Sequence, residues 1–374
     1  MKIGILKEPG HENRVALLPD NVKTLIDLKT KIAIEKGAGE RSFSSDQSYL
    51  DKGAEIVDRK TILNDSDLII SIHPLGDDEY SKLKEGQSVL TAFGPLFNMN
   101  LVKVFVEKNI TSFSMDMVPR TTRAQSMDIL SSMATVAGYK AVLEAANYLP
   151  TFFPMFMTAA GTIRPAKVLV LGAGVAGLQA IATARKLGAQ VEAFDVRSAV
   201  KEEVQSLGAK FIEVEGARDD KNAGGYAVEQ TDEYKQKQQQ LIQDHAKKAN
   251  VVITTAQIPG RKAPILITKD TVENMWPGSV IIDLASSTGG NCELTKDNET
   301  VVVNNVKIIG NSNFALTLPA DASKMYGNNI INFMKLIIDE SGNLKLDFND
   351  EIVRGTCITH NREIINERVK SNNK

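Results

Sequence analysis

KVLVLGAGVAGLQAIATARKLGAQVEAFDVR, Lys167 to Arg197, is the stretch that decides the fold. The apolar run Val168–Leu171 reads as a buried parallel strand. Gly172, Gly174 and Gly177 follow at G-x-G-x-x-G spacing, then a helical run, a second strand and a terminal acid. In such a unit the first glycine permits the tight turn and the second lets backbone approach a pyrophosphate. The third lets the helix pack closely on the sheet. The helix start offers free N–H groups and a positive dipole end to the phosphates. Asp195 ends the second strand, where a carboxylate takes both hydroxyls of an adenosine ribose and repels a 2′-phosphate, which points to NAD(H). Arg197 argues the other way, because a guanidinium nearby can bind phosphate. A purely structural βαβ unit is the alternative reading of the whole stretch.

The rest of the chain sets bounds on that unit. Its 374 residues suffice for two domains of ordinary size. Hydrophobic residues make up 43% and charged residues 24%, the balance of a globular protein in water. A net charge of −2 with no dense basic block argues against nucleic acid as a partner. Cys292 and Cys357 have neither metal-site nor redox spacing and read as small buried residues in a reducing compartment. No metal site is expected. The start, MKIGILKEPG, lacks the apolar region of a signal peptide. Leu149–Ile163, LPTFFPMFMTAAGTI, is too short to span a bilayer and is broken by Pro154. It reads as a buried connector, with docking on a partner as the alternative. No transmembrane helix is expected, so a membrane role has to come through another chain.

Strand patterns at Lys2–Leu6, Lys31–Glu35, Leu68–Ser71 and Ser88–Ala92 alternate with helical patterns at Asn21–Leu28 and Leu101–Lys108. Beyond the glycine turn, Lys210–Glu213, Val251–Thr255, Ser279–Asp283 and Lys307–Gly310 read as further strands. The fold class is therefore α/β, with two Rossmann-like, doubly wound parallel-sheet domains. The nucleotide domain, 141–329, is expected as an insertion in a discontinuous first domain, 1–140 plus 330–374. Long helical stretches near 124–148 and 320–338 make the two crossings, and a cleft between domains is the default ligand site. LKLDFNDEIVRG, Leu344–Gly355, reads as a hairpin or short strands. Val214–Lys248 is too long and polar for a plain connection, since such loops usually take about 2–6 residues. It reads either as a loop that swings Tyr226 over a ligand or as a surface insertion.

A second polar island is VPRTTRAQSMDILSS, Val118–Ser132. Thr121 or Thr122 can cap a helix there, with Gln125, Asp128, Ser131 and Ser132 on one face and Arg120 just before it. Those groups can hold the carboxamide and ribose of a nicotinamide; capping plus a solvated face is the alternative. Oxidising an alcohol or amine needs a general base. The four histidines, His11, His73, His245 and His360, all fall outside both motifs. Direct hydride exchange between two nicotinamides needs no proton acceptor, only two C4 atoms held close and aligned.

Together with TAAGTIRPAKVLVLGAGVAGLQAIATARKLGA, FDVR, GGYA, TTAQIPG, PGSVIIDLASSTGGNC and ADASKMYGNNIINF, this island closely resembles the NAD(H)-binding component of proton-translocating nicotinamide nucleotide transhydrogenases. The resemblance covers almost the whole chain. It implies a homodimer of two-domain chains, sitting next to an NADP(H)-binding component and on a membrane-embedded proton channel. The chain would then be cytoplasmic and peripheral to the inner membrane through those partners. Hydride passes directly from NADH to NADP⁺, driven by proton translocation. Carried over residue by residue, Arg120, Gln125, Asp128 and Ser131 match the loop that positions the dihydronicotinamide, and Tyr139 lines the same site. Gly172, Ala173, Gly174, Val175, Ala176 and Gly177 match the pyrophosphate turn. Asp195, Val196 and Arg197 match the adenosine-ribose end. Gly225 and Tyr226 match the tip of a mobile loop, and Thr255, Ala256 and Gln257 the segment flanking the nicotinamide. Ser286–Thr288 departs from the relatives' usual residues, and its role stays open.

Two other readings remain. Alanine dehydrogenase shares the EPGHENRVALLP opening, and Arg14 would hold its substrate carboxylate. Its lysine, histidine and aspartate have no counterparts in Ser71–Pro74, Leu90–Asn98 and Ser287. A binding module without catalysis of its own is the third.

Overall fold

The computed structural model describes residues 1–214, 232–258 and 261–372. Gly225 and Tyr226 lie outside the described residues, as do Pro259 and Gly260. The chain divides into two units, Met1–Met133 with Leu316–Lys374, and Ala134–Ala315.

The first unit is built on an eight-stranded sheet. Six strands run parallel in the order Glu55–Val57, Lys31–Glu35, Lys2–Ile5, Leu68–Ile70, Ser88–Thr91, Thr111–Ser114. Cys357–His360 and Glu363–Ile364 add two antiparallel strands at the edge. The strands are apolar on both faces because both faces are covered. Ile3, Ile5, Ile32, Ile34, Leu68 and Ile70 pack on Val22, Leu25, Ile330 and Phe333. The alternate residues Ala33, Ile69 and Val89 pack on Ile62, Leu63, Val102 and Phe105.

The second unit repeats the plan with seven strands. Lys210–Ile212, Gln190–Phe194, Lys167–Leu171, Val251–Thr254, Val280–Asp283 and Val306–Gly310 run parallel, in that order. Thr300–Val303 closes the edge antiparallel. Val168, Val170, Val251 and Ile253 face one core, Leu169, Leu171, Val252 and Ile281 the other. The chain order reverses between Lys167–Leu171 and Val251–Thr254. Such a reversal opens a crevice beyond the carboxyl ends of the strands, where ligands of doubly wound sheets bind.

Several elements differ from their sequence reading. The chain passes between units after Met133, inside the helix Ile129–Tyr148, and again after Ala315, in the turn Phe314–Thr317. The helix Pro319–Ile337 buries Tyr326, Ile330 and Phe333 in the first unit's core, which draws the second crossing ahead of it. The stretch that reads as a hairpin contains the helix Glu351–Thr356. Asp350 caps it by accepting the Ile352 N–H at 2.8 Å. The tail after it, which carries no motif, supplies the two edge strands.

Leu149–Ile163 is not a buried connector. Leu149 and Phe153 are buried, but Phe156–Thr158 and Gly161–Ile163 pair as a hairpin whose six strand residues are exposed. Met157 is 74% exposed and Met155 57%. Among the described residues no helix is long and apolar enough to cross a membrane.

Candidate functional site

The reversal point of the second unit carries the glycine turn. Gly172 has φ +99°, and a Cβ there would stand 2.4 Å from the Thr255 hydroxyl. That hydroxyl donates to the Gly172 carbonyl at 3.1 Å, tying the turn to the next strand. A Cβ at Gly177 would lie 1.8 Å from the same carbonyl oxygen, so the helix Val175–Lys186 reaches its place only with glycine there. Gly174 differs: nothing lies within 4 Å of the position a Cβ would take. It is the N-cap of that helix and offers no side chain to cap it. The helix start therefore presents backbone N–H groups beside open space, the arrangement that receives phosphate. Ala173 and Gly177 are buried, Ala176 half-buried, and Val175 is 42% exposed at the rim.

A second close approach supports this helix. Gly138, in Ile129–Tyr148, would put a Cβ 2.1 Å from the Ala176 carbonyl oxygen. The two helices thus touch backbone to backbone, which sets the exposed Tyr139 beside the first turn of Val175–Lys186.

Asp195 stands at the end of its strand, buried, with Val196 half-buried after it. One carboxylate oxygen accepts the Ala173 N–H at 2.7 Å and Arg197 Nη2 at 2.7 Å. The other accepts the Arg197 N–H at 2.9 Å and its Nε at 2.8 Å. A carboxylate has about four acceptor positions, so the acid read as open to a ribose is fully occupied by its neighbours. The hydrogen bonds that Arg197 donates to Asp195 hold its guanidinium charged.

Beside the turn, Ala256 is clamped by a fully buried amide. Asn291 accepts the Ala256 N–H at 3.0 Å and donates to the Ala256 and Pro264 carbonyls at 2.9 and 2.8 Å. Asp283, also fully buried, accepts the Asn291 and Cys292 N–H groups at 2.7 and 3.1 Å. Gln257 is exposed and donates to the Leu284 carbonyl. Sequence reasoning missed Asn291, whose partners are backbone groups distant in sequence. Ser286 bonds Asp297 and Ser312, and Thr288 donates to the Ala285 carbonyl, so this triplet braces its own loop.

The polar island belongs to the first unit, apart from Tyr139. It is not one helical face. Thr122–Met127 is a tight 3₁₀ segment, and the α-helix begins only at Ile129. Neither threonine caps that helix. Asp128 does, accepting the Ser131 N–H at 3.0 Å and its hydroxyl at 2.6 Å. Arg120 and Gln125 are exposed, whereas Asp128 and Ser131 are half-buried. The break at Asp128 keeps the island from forming one continuous helical face.

The first unit has its own reversal point, between Lys2–Ile5 and Leu68–Ile70, where Leu6–Glu8, Ser71 and His73–Gly76 line a cavity of about 330 Å³. Glu8 accepts the Ile72 and His73 N–H groups at 2.6 and 3.1 Å. Burial pushes its carboxyl up to about 7. Glu12 takes the Arg14 guanidinium with both oxygens, at 2.8 and 2.6 Å, and the His73 ring at 2.8 Å. Burial opposes the Glu12 charge, but the Arg14 and His73 hydrogen bonds outweigh it and bring the carboxyl down to about 2. Burial raises both thiols, Cys292 to about 11 and Cys357 to about 12, so neither is a nucleophile at neutral pH. Among the described residues no cluster of metal-ligating side chains occurs.

Comparison with known proteins agrees with this geometry. The family description "Alanine dehydrogenase/PNT, N-terminal domain" matches residues 4–137, and "Alanine dehydrogenase/PNT, C-terminal domain" matches 141–367. The chain is 44% identical to an NAD(P) transhydrogenase subunit alpha protein of Rhodospirillum rubrum over 98% of both. It is 28% identical to alanine dehydrogenase of Staphylococcus haemolyticus over 90% of this chain and 87% of that one. A solved structure of transhydrogenase from Sinorhizobium meliloti superposes with a TM-score of 0.89 at 41% identity, covering 98% of this chain and all of that one. The matched family models and the 44% identity over nearly the whole chain show that the chain belongs to the alanine dehydrogenase/PNT family, among its NAD(P) transhydrogenase alpha subunits.

Proposed function

We propose that the chain binds NADH at the reversal point of its second unit and passes hydride to NADP⁺ held on a partner component. A membrane component would couple the transfer to proton translocation. The observation that carries this reading is the uncapped helix start at Gly174, facing open space, with an acid at the end of the neighbouring strand. NADH supplies the hydride. The N–H groups from Gly174 to Gly177 hold the pyrophosphate, with Ala173 tying the turn to Asp195; Asp195 takes the adenosine ribose, and Thr255–Gln257 with Tyr139 the nicotinamide side. For the ribose to bind, Arg197 gives up part of its fork on Asp195, which frees acceptor positions for the two hydroxyls. Arg120, Gln125, Asp128 and Ser131 orient the ring and exclude water, which is catalysis by alignment. The name "subunit alpha", carried by the Rhodospirillum rubrum relative, supports further subunits. Pairing of two copies is supported by the exposed apolar hairpin at Phe156–Ile163.

An amino-acid dehydrogenase would need Arg14 for a substrate carboxylate, and Arg14 is engaged by Glu12. The purified chain is therefore expected to produce no NADH from alanine and NAD⁺. Mixed with an NADP(H)-binding component, it is expected to support NADPH-dependent reduction of an NAD analogue. Steady alanine oxidation, or no transfer with a competent partner, overturns the reading.

A further inference from the structure

The motif Met325–Phe333, MYGNNIINF, takes no part in the nucleotide reading, yet it places three asparagines on a helix that otherwise packs in the core. Asparagine is a poor helix former, and a buried amide needs partners. Asn328 accepts from the Asn21 amide at 3.0 Å, and Gly327 beside it admits the close approach: a Cβ there would stand 2.4 Å from Asn21 Oδ1. Asn329 and Asn332, one turn apart, behave differently. Both donate to the Ser126 carbonyl, at 2.8 and 3.0 Å. Ser126 lies inside the 3₁₀ segment, between Gln125 and Asp128. The same segment is gripped at its other end. Arg123 forks onto both carboxylate oxygens of Asp350, and Gly355 lets the following helix lie against the Pro119 ring, where a Cβ would come within 3.1 Å. Everything holding Pro119–Ser126 in these contacts comes from the chain's return after residue 316.

We propose that Asn329 and Asn332 are positioning residues for hydride transfer: by gripping the Ser126 carbonyl together, they set where Gln125 and Asp128 stand. The inference rests on the nicotinamide role given above to those two residues. Without both amides the carbonyl turns to water and the six-residue segment shifts. A displacement of ~1 Å at an aligning group costs up to about 100-fold in rate. Nucleotide affinity, anchored at the glycine turn and Asp195, stays close to its original value.

The test compares Asn329→Ala/Asn332→Ala with Asn328→Ala, which loses a hydrogen bond on the same helix, one accepted from the Asn21 amide and not one to the segment. Single-turnover hydride transfer is measured with the NADP(H)-binding partner, and NADH dissociation constants by titration. The double variant is expected to transfer roughly 10- to 100-fold more slowly with nearly unchanged NADH affinity. Asn328→Ala is expected to transfer like the original chain, and Asn332→Gln, which keeps an amide donor, to retain most of the rate. Equal loss in Asn328→Ala, or parallel losses of rate and affinity in the double variant, reduces the amides to general helix support and overturns the inference. So does an unchanged rate in the double variant while the original chain transfers. If the original chain itself transfers nothing with a competent partner, the proposed function falls, and this inference with it.

Discussion

Two glycines three residues apart make opposite predictions. At Gly177 a methyl group would sit 1.8 Å from the Gly172 carbonyl oxygen and 2.9 Å from its carbon. Ordinary contact lies near 3.5 Å, so the helix or the turn has to yield by about 1.7 Å. The carbonyl cannot simply swing away, because Gly172 is held at φ +99° and the Thr255 hydroxyl donates to that oxygen. Overpacking of this kind costs typically 1–3 kcal/mol, and a backbone collision belongs at about 3. For a unit of this size that is a fall of roughly 6–12 °C in melting temperature. Gly174→Ala meets no atom within 4 Å, and its φ of −78° suits alanine. Its stability should stay within about 0.5 kcal/mol of the original. Its methyl group nevertheless enters the space assigned to the pyrophosphate, so NADH affinity should fall at least about tenfold, or 1.4 kcal/mol. Thermal unfolding by circular dichroism and NADH titration by fluorescence read both quantities. Gly174→Ala that binds NADH like the original chain refutes the pyrophosphate assignment. Gly177→Ala that melts like the original refutes the close approach.

Three further outcomes follow from the same geometry. Gln125→Asn shortens an exposed aligning group and should slow hydride transfer far more than it weakens NADH binding; equal losses would make Gln125 a ground-state contact. Glu8 has its carboxyl raised by burial to about 7, so the folded state favours its protonated form. Its contribution to stability is complete below the ordinary value of 4.5 and is lost as pH rises through about 7. Glu8→Gln should remove that decline from unfolding curves taken between those limits, and an unchanged profile would refute the assignment. Met157→Asp puts a charge on the exposed hairpin and should shift sedimentation from dimer toward monomer without changing far-ultraviolet circular dichroism. A variant that stays dimeric places the interface elsewhere.

Repeating local patterns were the legible part of the fold. Lys31–Glu35 was readable because a strand covered on both faces is apolar throughout. The glycine turn was readable because each glycine answers a separate steric demand, two of which the collisions at Gly172 and Gly177 measure directly. The errors came where one residue type serves two ends. Asp350 reads as part of a hairpin and Asp128 as one polar group along a helical face, yet each caps a helix start, because a carboxylate that closes a turn closes a helix start by the same hydrogen bond. The exposed hairpin read as buried because its composition is that of a core. Composition does not distinguish a surface covered by the same chain from one that a second copy could cover. Asn291 and Asn329 were invisible for a different reason. Their partners, Ala256 and Ser126, are backbone groups 35 and 203 residues away, and no local pattern records them.

The central claim is direct transfer of hydride from a nucleotide on this chain to one on its partner. NADH carrying deuterium at the transferred C4 position, mixed with this chain, an NADP(H)-binding component and NADP⁺ in ordinary water, tests it most directly. The account predicts that the deuterium arrives in NADPH without loss to solvent, and only when both components are present. Deuterium released to water, or NADPH formed carrying solvent hydrogen, would contradict it.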